Sequence, residues 1–190
     1  MTAGAPSAPS ERGGVVVLGL DPGTRHFGWG VVRRSGTRLT HVAHGVLHVE
    51  RAGELGARLV ALESELVAII ERFGPAQASI ESLFFAKDAQ AAAKLGHARG
   101  VALLVCARAG LPSFEYPPAR VKRTVAGGGR AEKAQVAQMI RILLGLSAVP
   151  PADAADALAI AVTHLQGTRL LARMGEEKAR PPLSNAARRR

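Results

Sequence analysis

The run Val15-Val16-Val17-Leu18-Gly19-Leu20-Asp21-Pro22-Gly23 decides how this chain is read. An unbroken stretch of apolar residues and glycine fits a strand buried on both faces, and Pro22-Gly23 stops it in a turn. An acid therefore falls at the carboxyl end of an interior strand, where ligand sites of open α/β sheets gather. Asp-Pro-Gly also suits a plain turn, so the rest of the chain must decide between turn and site.

Outward from this run, residues 28–33 and 39–49 are two further strand candidates. They are joined by short turn-rich links, the pattern of an antiparallel meander. The period then changes. Leu55, Leu59, Leu62, Leu66, Ile69 and Phe73 alternate spacings of four and three, which is one apolar stripe on a helix over 53–73, ended by Gly74-Pro75. Residues 78–81 read as a short strand ending in Glu81, residues 88–109 as a helix with Gly110 just past its end, and residues 113–116 as a strand.

Residues 119–131, with Gly127-Gly128-Gly129, read as a flexible basic loop. A helix over 132–146 places Val136, Ile140 and Leu143 on one stripe. After Pro150-Pro151 a last helix runs from about Asp153 to Leu171. Strands alternating with helices imply an α/β domain with a mixed sheet over 15–171. Residues 1–14, rich in Ala, Gly, Pro and Ser, read as a disordered leader, and residues 172–190 as a disordered basic tail.

Charge separates along the chain. Of the formal net charge of +10, residues 1–83 contribute none and residues 84–133 contribute +6. Residues 134–168 contribute −1 and residues 169–190 contribute +5. Positive charge gathered in one internal block and one end points to a polyanion partner such as nucleic acid. Lys87, Lys94, Arg99, Arg120 and Arg123 in that block are candidate backbone contacts. The single cysteine, Cys106, excludes an intrachain disulfide and a multi-cysteine zinc site. No signal-peptide pattern opens the chain and no apolar run is long enough to span a bilayer. The expected compartment is the cytoplasm. The six histidines form no site by spacing. His41, His44 and His48 read as exposed strand residues, and His26 and His97 draw notice only as neighbours of motifs.

The acids carry the chemistry. Asp21 and Glu81 end two strands. Asp153 and Asp156, three apart at a helix start, project from one face. Four carboxylates brought to one spot repel unless cations lie between them. Hard oxygen donors select magnesium or manganese. Two such ions about 4 Å apart can clamp the attacking water and the leaving oxygen of a phosphoryl displacement.

Four segments resemble the RuvC-type Holliday junction resolvases. Val17-Leu18-Gly19-Leu20-Asp21-Pro22-Gly23-Thr24-Arg25 with Gly28-Trp29-Gly30 is similar to that family's first strand and turn. Ile80-Glu81-Ser82-Leu83-Phe84-Phe85-Ala86-Lys87, with Lys94-Leu95-Gly96 and Ala98-Arg99-Gly100, is similar to its central signature. Val121-Lys122-Arg123-Thr124-Val125 through Lys133 and Gln135-Val136 is similar to its basic loop and helix. Ala152-Asp153-Ala154-Ala155-Asp156-Ala157-Leu158-Ala159 is similar to its acidic motif. The resemblance spans about residues 15–168. Ser82, Asp88, Thr24 and Trp29 depart from frequent family choices without removing an acid.

The resemblance implies a ribonuclease H-like α/β fold, a mixed five-stranded sheet flanked by helices. It implies a homodimer acting on four-way junction DNA in homologous recombination and repair. Each subunit nicks one of two like-polarity strands with Mg2+ or Mn2+ and leaves a 5′-phosphate. Asp21, Glu81, Asp153 and Asp156 fall on metal-binding positions, and Lys122 and Lys133 on catalytic basic positions near the scissile strand. Phe84 falls on an aromatic position that packs on bases, with Phe85 its neighbour. The implied protein partners are the junction-binding protein RuvA and the branch-migration ATPase RuvB. The other readings are a fragment of an actin-like ATPase or kinase, which shares an Asp-x-Gly-Thr turn, a RuvX-like nuclease, and a non-catalytic junction-binding module.

Overall fold

Strand β1 (Val15–Asp21) lies in the middle of the sheet, as its unbroken apolar run requires. The computed structural model describes residues 14–82 and 89–179. Strands β2 (His26–Ser35) and β3 (Arg38–His48) continue antiparallel on one side of β1. Strands β4 (Gln77–Glu81) and β5 (Ser113–Tyr116) lie parallel on the other, giving the order β3-β2-β1-β4-β5. This is the expected mixed five-stranded sheet, led by an antiparallel meander.

The parallel strands are reached through helices α1 (Leu55–Phe73) and α2 (Ala89–Arg108). Both helices pack on one face, where Leu62, Leu66, Ile69, Ala98, Ala102 and Val105 meet Leu18, Leu20 and Ile80. Helices α3 (Pro118–Ala126), α4 (Lys133–Leu144) and α5 (Ala152–Ala179) cover the other face around Val17, Val32, Val136, Ile140 and Leu158. A meander extended by parallel strands, with helices on both faces, is the ribonuclease H-like fold.

Strand alternation aims the acids. Leu18 and Leu20 point to the α1–α2 layer, so Val17, Gly19 and Asp21 point toward α5. On β4, Ala78 and Ile80 belong to the first core, which turns Ser79 and Glu81 toward α5 as well. Helix α5 lies unusually close to the sheet because two strand residues lack a side chain. A Cβ on Gly19 would overlap the carbonyl oxygen of Ala157, and one on Gly28 that of Asp153. Small residues on the helix complete the fit, with Ala154, Ala155, Ala157 and Ala161 all buried.

Three expectations change. Residues 119–131 are not one flexible loop, because α3 occupies Pro118–Ala126. Pro118 starts it, Val121 and Val125 bury one turn apart, and Gly127 ends it in the left-handed conformation. Helix α5 continues to Ala179 rather than ending near Leu171. The stretch Leu171–Ala179 holds no proline, and the first proline after it is Pro181. His41 and His44 are half-buried rather than exposed, and their rings are hydrogen-bonded, Nε2 to Nδ1, at 2.7 Å. A bulge at Val42, where Val31 pairs with Ala43 but Val32 with His41, brings both onto one face. Smaller shifts occur at the β3 end, where Val49–Ala52 form a 3-10 turn before α1 begins at Leu55.

Candidate active site

Asp21, Glu81 and Asp156 line one cavity of about 210 Å3, together with Lys122 from α3 and Lys133 from α4. The parallel register pairs Leu20 with Ile80, so the next residues, Asp21 and Glu81, stand side by side at the strand ends. Asp156 comes from the first turns of α5. Its position follows from the glycine-lined approach of that helix. Asp153 sits one turn earlier, does not line the cavity, and acts on Asp21 through its charge.

The acids load one another. Burial first, then the Glu81 and Asp156 carboxylates, pushes the Asp21 carboxyl up to about 8. Burial and Asp156 also raise Glu81, against the pull of Lys133 and Lys122. Lys133 Nζ donates to Asp156 Oδ2 at 2.9 Å, and this bond holds the ammonium charged. Lys133 remains 74% exposed, so the pair opens to solvent. Such a site, rich in carboxylates and short of positive charge, suits hard divalent cations.

The other basic candidates divide. Lys122 faces the acidic cavity, whereas Arg120 and Arg123 line a separate cavity of about 910 Å3 that also includes Arg34. Arg120 lies over the Tyr116 ring, 5.0 Å from its centroid. Arg99 is only 14% exposed and is paired with Glu115 of β5, so its guanidinium is engaged within the fold. Phe84, Phe85 and Lys87 lie outside the described residues, as does the side chain of Lys94.

Two groupings escaped the sequence reading. His164 is fully buried and bridges Tyr116 and Gln77, with its Nδ1 2.8 Å from the tyrosine hydroxyl and its Nε2 2.7 Å from the amide oxygen. His26, His48 and Glu50 cluster at the far end of the β2–β3 hairpin. The signal for that cluster was the hairpin register, which places His26 opposite His48.

Comparisons with known proteins show the family of the chain. A family model described as Crossover junction endodeoxyribonuclease RuvC matches residues 17–164. The crossover junction endodeoxyribonuclease RuvC of Sorangium cellulosum (strain So ce56) is 58% identical over 166 residues, covering 87% of this chain and 93% of that protein. That of Ruegeria pomeroyi is 52% identical over 148 residues, covering 78% and 89%. Among solved structures, T. thermophilus RuvC in complex with a Holliday junction substrate is 33% identical with a TM-score of 0.74. It covers 82% of this chain and 96% of that one. The strand-end acids, the acidic start of α5 and the flanking lysines thus sit in a chain that belongs to the RuvC family of crossover junction endodeoxyribonucleases.

Proposed function

We propose that this protein is a metal-dependent, structure-specific endonuclease that resolves Holliday junctions by paired symmetric nicks in recombination and repair. The observation that carries this reading is the convergence of Asp21, Glu81 and Asp156 with Lys122 and Lys133 in one open cavity. Asp21, Glu81, Asp153 and Asp156 are the residues that would hold Mg2+ or Mn2+. A pair of such ions about 4 Å apart would clamp the attacking water and the leaving oxygen of the displacement. When bound, the ions supply an activated water and countercharge for the leaving oxygen.

The chain's own groups position the strand. Lys133, anchored by Asp156, presents its ammonium at the cavity mouth, where it offsets charge building on the scissile phosphate. Lys122, from α3, lines the same cavity and takes the same part. Arg120 and Arg123 take backbone phosphates beyond the cavity. Phe84 and Phe85 are assigned to stacking on bases near the crossover, and Lys87 and Lys94 to the flanking backbone. Arg99 takes a supporting part by holding α2 to β5 through Glu115.

A homodimer supplies two such centres, one for each like-polarity strand, and the products carry 5′-phosphates. The dimer works in the cytoplasm with RuvA and RuvB. No helix among the described residues is long and apolar enough to cross a membrane. The test is a synthetic four-way junction incubated with the protein and Mg2+. Paired nicks at symmetric positions, with ends that ligate directly, are expected. A junction left whole, or cut equally as a linear duplex, overturns the reading.

A further inference from the structure

We propose that His26, His48 and Glu50 form a second metal site, selective for a borderline transition ion of the Zn2+ class and separate from the acidic centre. His26 Nε2 lies 3.3 Å and His48 Nδ1 3.6 Å from the same oxygen, Glu50 Oε1. The three ligand atoms all lie within 4.8 Å of one another. Tetrahedral coordination with zinc–nitrogen and zinc–oxygen bonds near 2.0–2.1 Å places neighbouring ligand atoms about 3.3–3.4 Å apart. The 3.3 Å spacing matches that figure and the 3.6 Å spacing is slightly longer, so a small closure of the two imidazoles, which stay within 4.8 Å, would seat an ion.

The ligands are built into the fold rather than scattered on a surface. His26 and His48 are direct cross-strand partners at the open end of the β2–β3 hairpin. Their rings meet edge to face with centroids 5.1 Å apart. Glu50 follows in the 3-10 turn, and its backbone N–H donates to the Arg25 carbonyl at 3.3 Å. Its second oxygen, Oε2, is buried with no hydrogen-bond partner among the described residues. Each imidazole is 47% exposed, so an ion can enter.

The donor set separates this site from the catalytic one. Two imidazoles and a single carboxylate favour Zn2+, Ni2+ or Cu2+ over Mg2+, which prefers an all-oxygen shell. Three protein ligands leave a fourth position for water or an anionic oxygen. An ion here would join the first residue of β2, the last residue of β3 and the 3-10 turn. Only residues 22–25 separate β2 from Asp21, so the ion would brace the turn behind the acidic centre.

The test uses Co2+ as a visible probe, titrated into the metal-free full-length D21N protein, which weakens binding at the acidic centre. One saturable equivalent with d–d absorption is expected, displaced by Zn2+ and not by millimolar Mg2+, with a rise in Tm on loading. D21N/H48Q and D21N/E50Q should lose both the absorption and the Tm rise while folding normally by circular dichroism. No saturable equivalent in D21N overturns the proposal, and so does one that survives both H48Q and E50Q. If either double variant fails to fold, D21N/H26Q replaces it and is held to the same two outcomes.

Discussion

Gly28 lies directly beneath Asp153, and a Cβ on Gly28 would overlap the Asp153 carbonyl oxygen. The same residue pairs with Asp21 across β1 and β2. One glycine thus lets the start of α5 close on the strand that carries the first acid. Gly28→Ala must push α5 outward, and overpacking of this kind costs about 1–3 kcal/mol. Thermal unfolding should show that loss together with slower nicking. Gly56 of α1 faces open space, and Gly56→Ala should raise stability by up to about 1 kcal/mol without touching activity.

The acidic centre trades stability for function. The Asp21 carboxyl is raised to about 8 from an ordinary 3.8. A raised folded value means that the folded state holds its proton more tightly than the unfolded one. That stability is full below about 3.8 and is lost as pH rises toward 8. In chelator at pH 8, Asp21→Asn should therefore be more stable than the parent, by about 1–3 kcal/mol. Equal or lower stability of the variant would contradict the charge crowding described for this site.

A second pH effect runs the other way. Burial, with a smaller push from Arg34, holds the His164 imidazole down to about 4 from 6.5. The unfolded chain takes up that proton first. Stability is full above about 6.5 and falls as pH drops toward 4, at up to about 1.4 kcal/mol per pH unit. Urea melts across that window should show the slope, and His164→Gln should flatten it. Tyr116→Phe removes the hydroxyl 2.8 Å from Nδ1 and should cost about 1–2 kcal/mol at neutral pH.

The strand-end placement of Asp21 and Glu81 was legible because a continuous apolar run and a turn signal are local features. The placement of Asp153 and Asp156 at the start of one helix was legible for the same reason, but not that Asp156 alone of the two lines the cavity. Helix α3 was not, since its apolar signal is only Val121 and Val125, set between Pro117-Pro118 and three glycines. The union of His26 with His48 depends on the register of a hairpin, and that of His41 with His44 on a bulge. The bridge from Tyr116 through His164 to Gln77 joins three elements far apart in sequence. Spacing along the chain carries none of these.

Lys133 tests the division of labour among the basic residues. Its ammonium is held by Asp156 at the cavity mouth. Lys133→Ala should lower the single-turnover nicking rate by about 100-fold, the scale for losing one charge-stabilising donor. Junction affinity, and its fall with added salt, should change little. Arg123→Ala, on the other cavity, should instead weaken binding and reduce the salt dependence while sparing the rate at saturation.

The central claim is that the strand-end acids drive strand cleavage while the basic surface binds the junction. Its most direct test is a single-turnover assay of Asp21→Asn on a synthetic four-way junction with Mg2+, run beside a binding assay on the same samples. The account predicts junction binding close to that of the parent protein and no nicks above background. Parent-level nicking by this variant, at a position where the acidic centre converges, would contradict it.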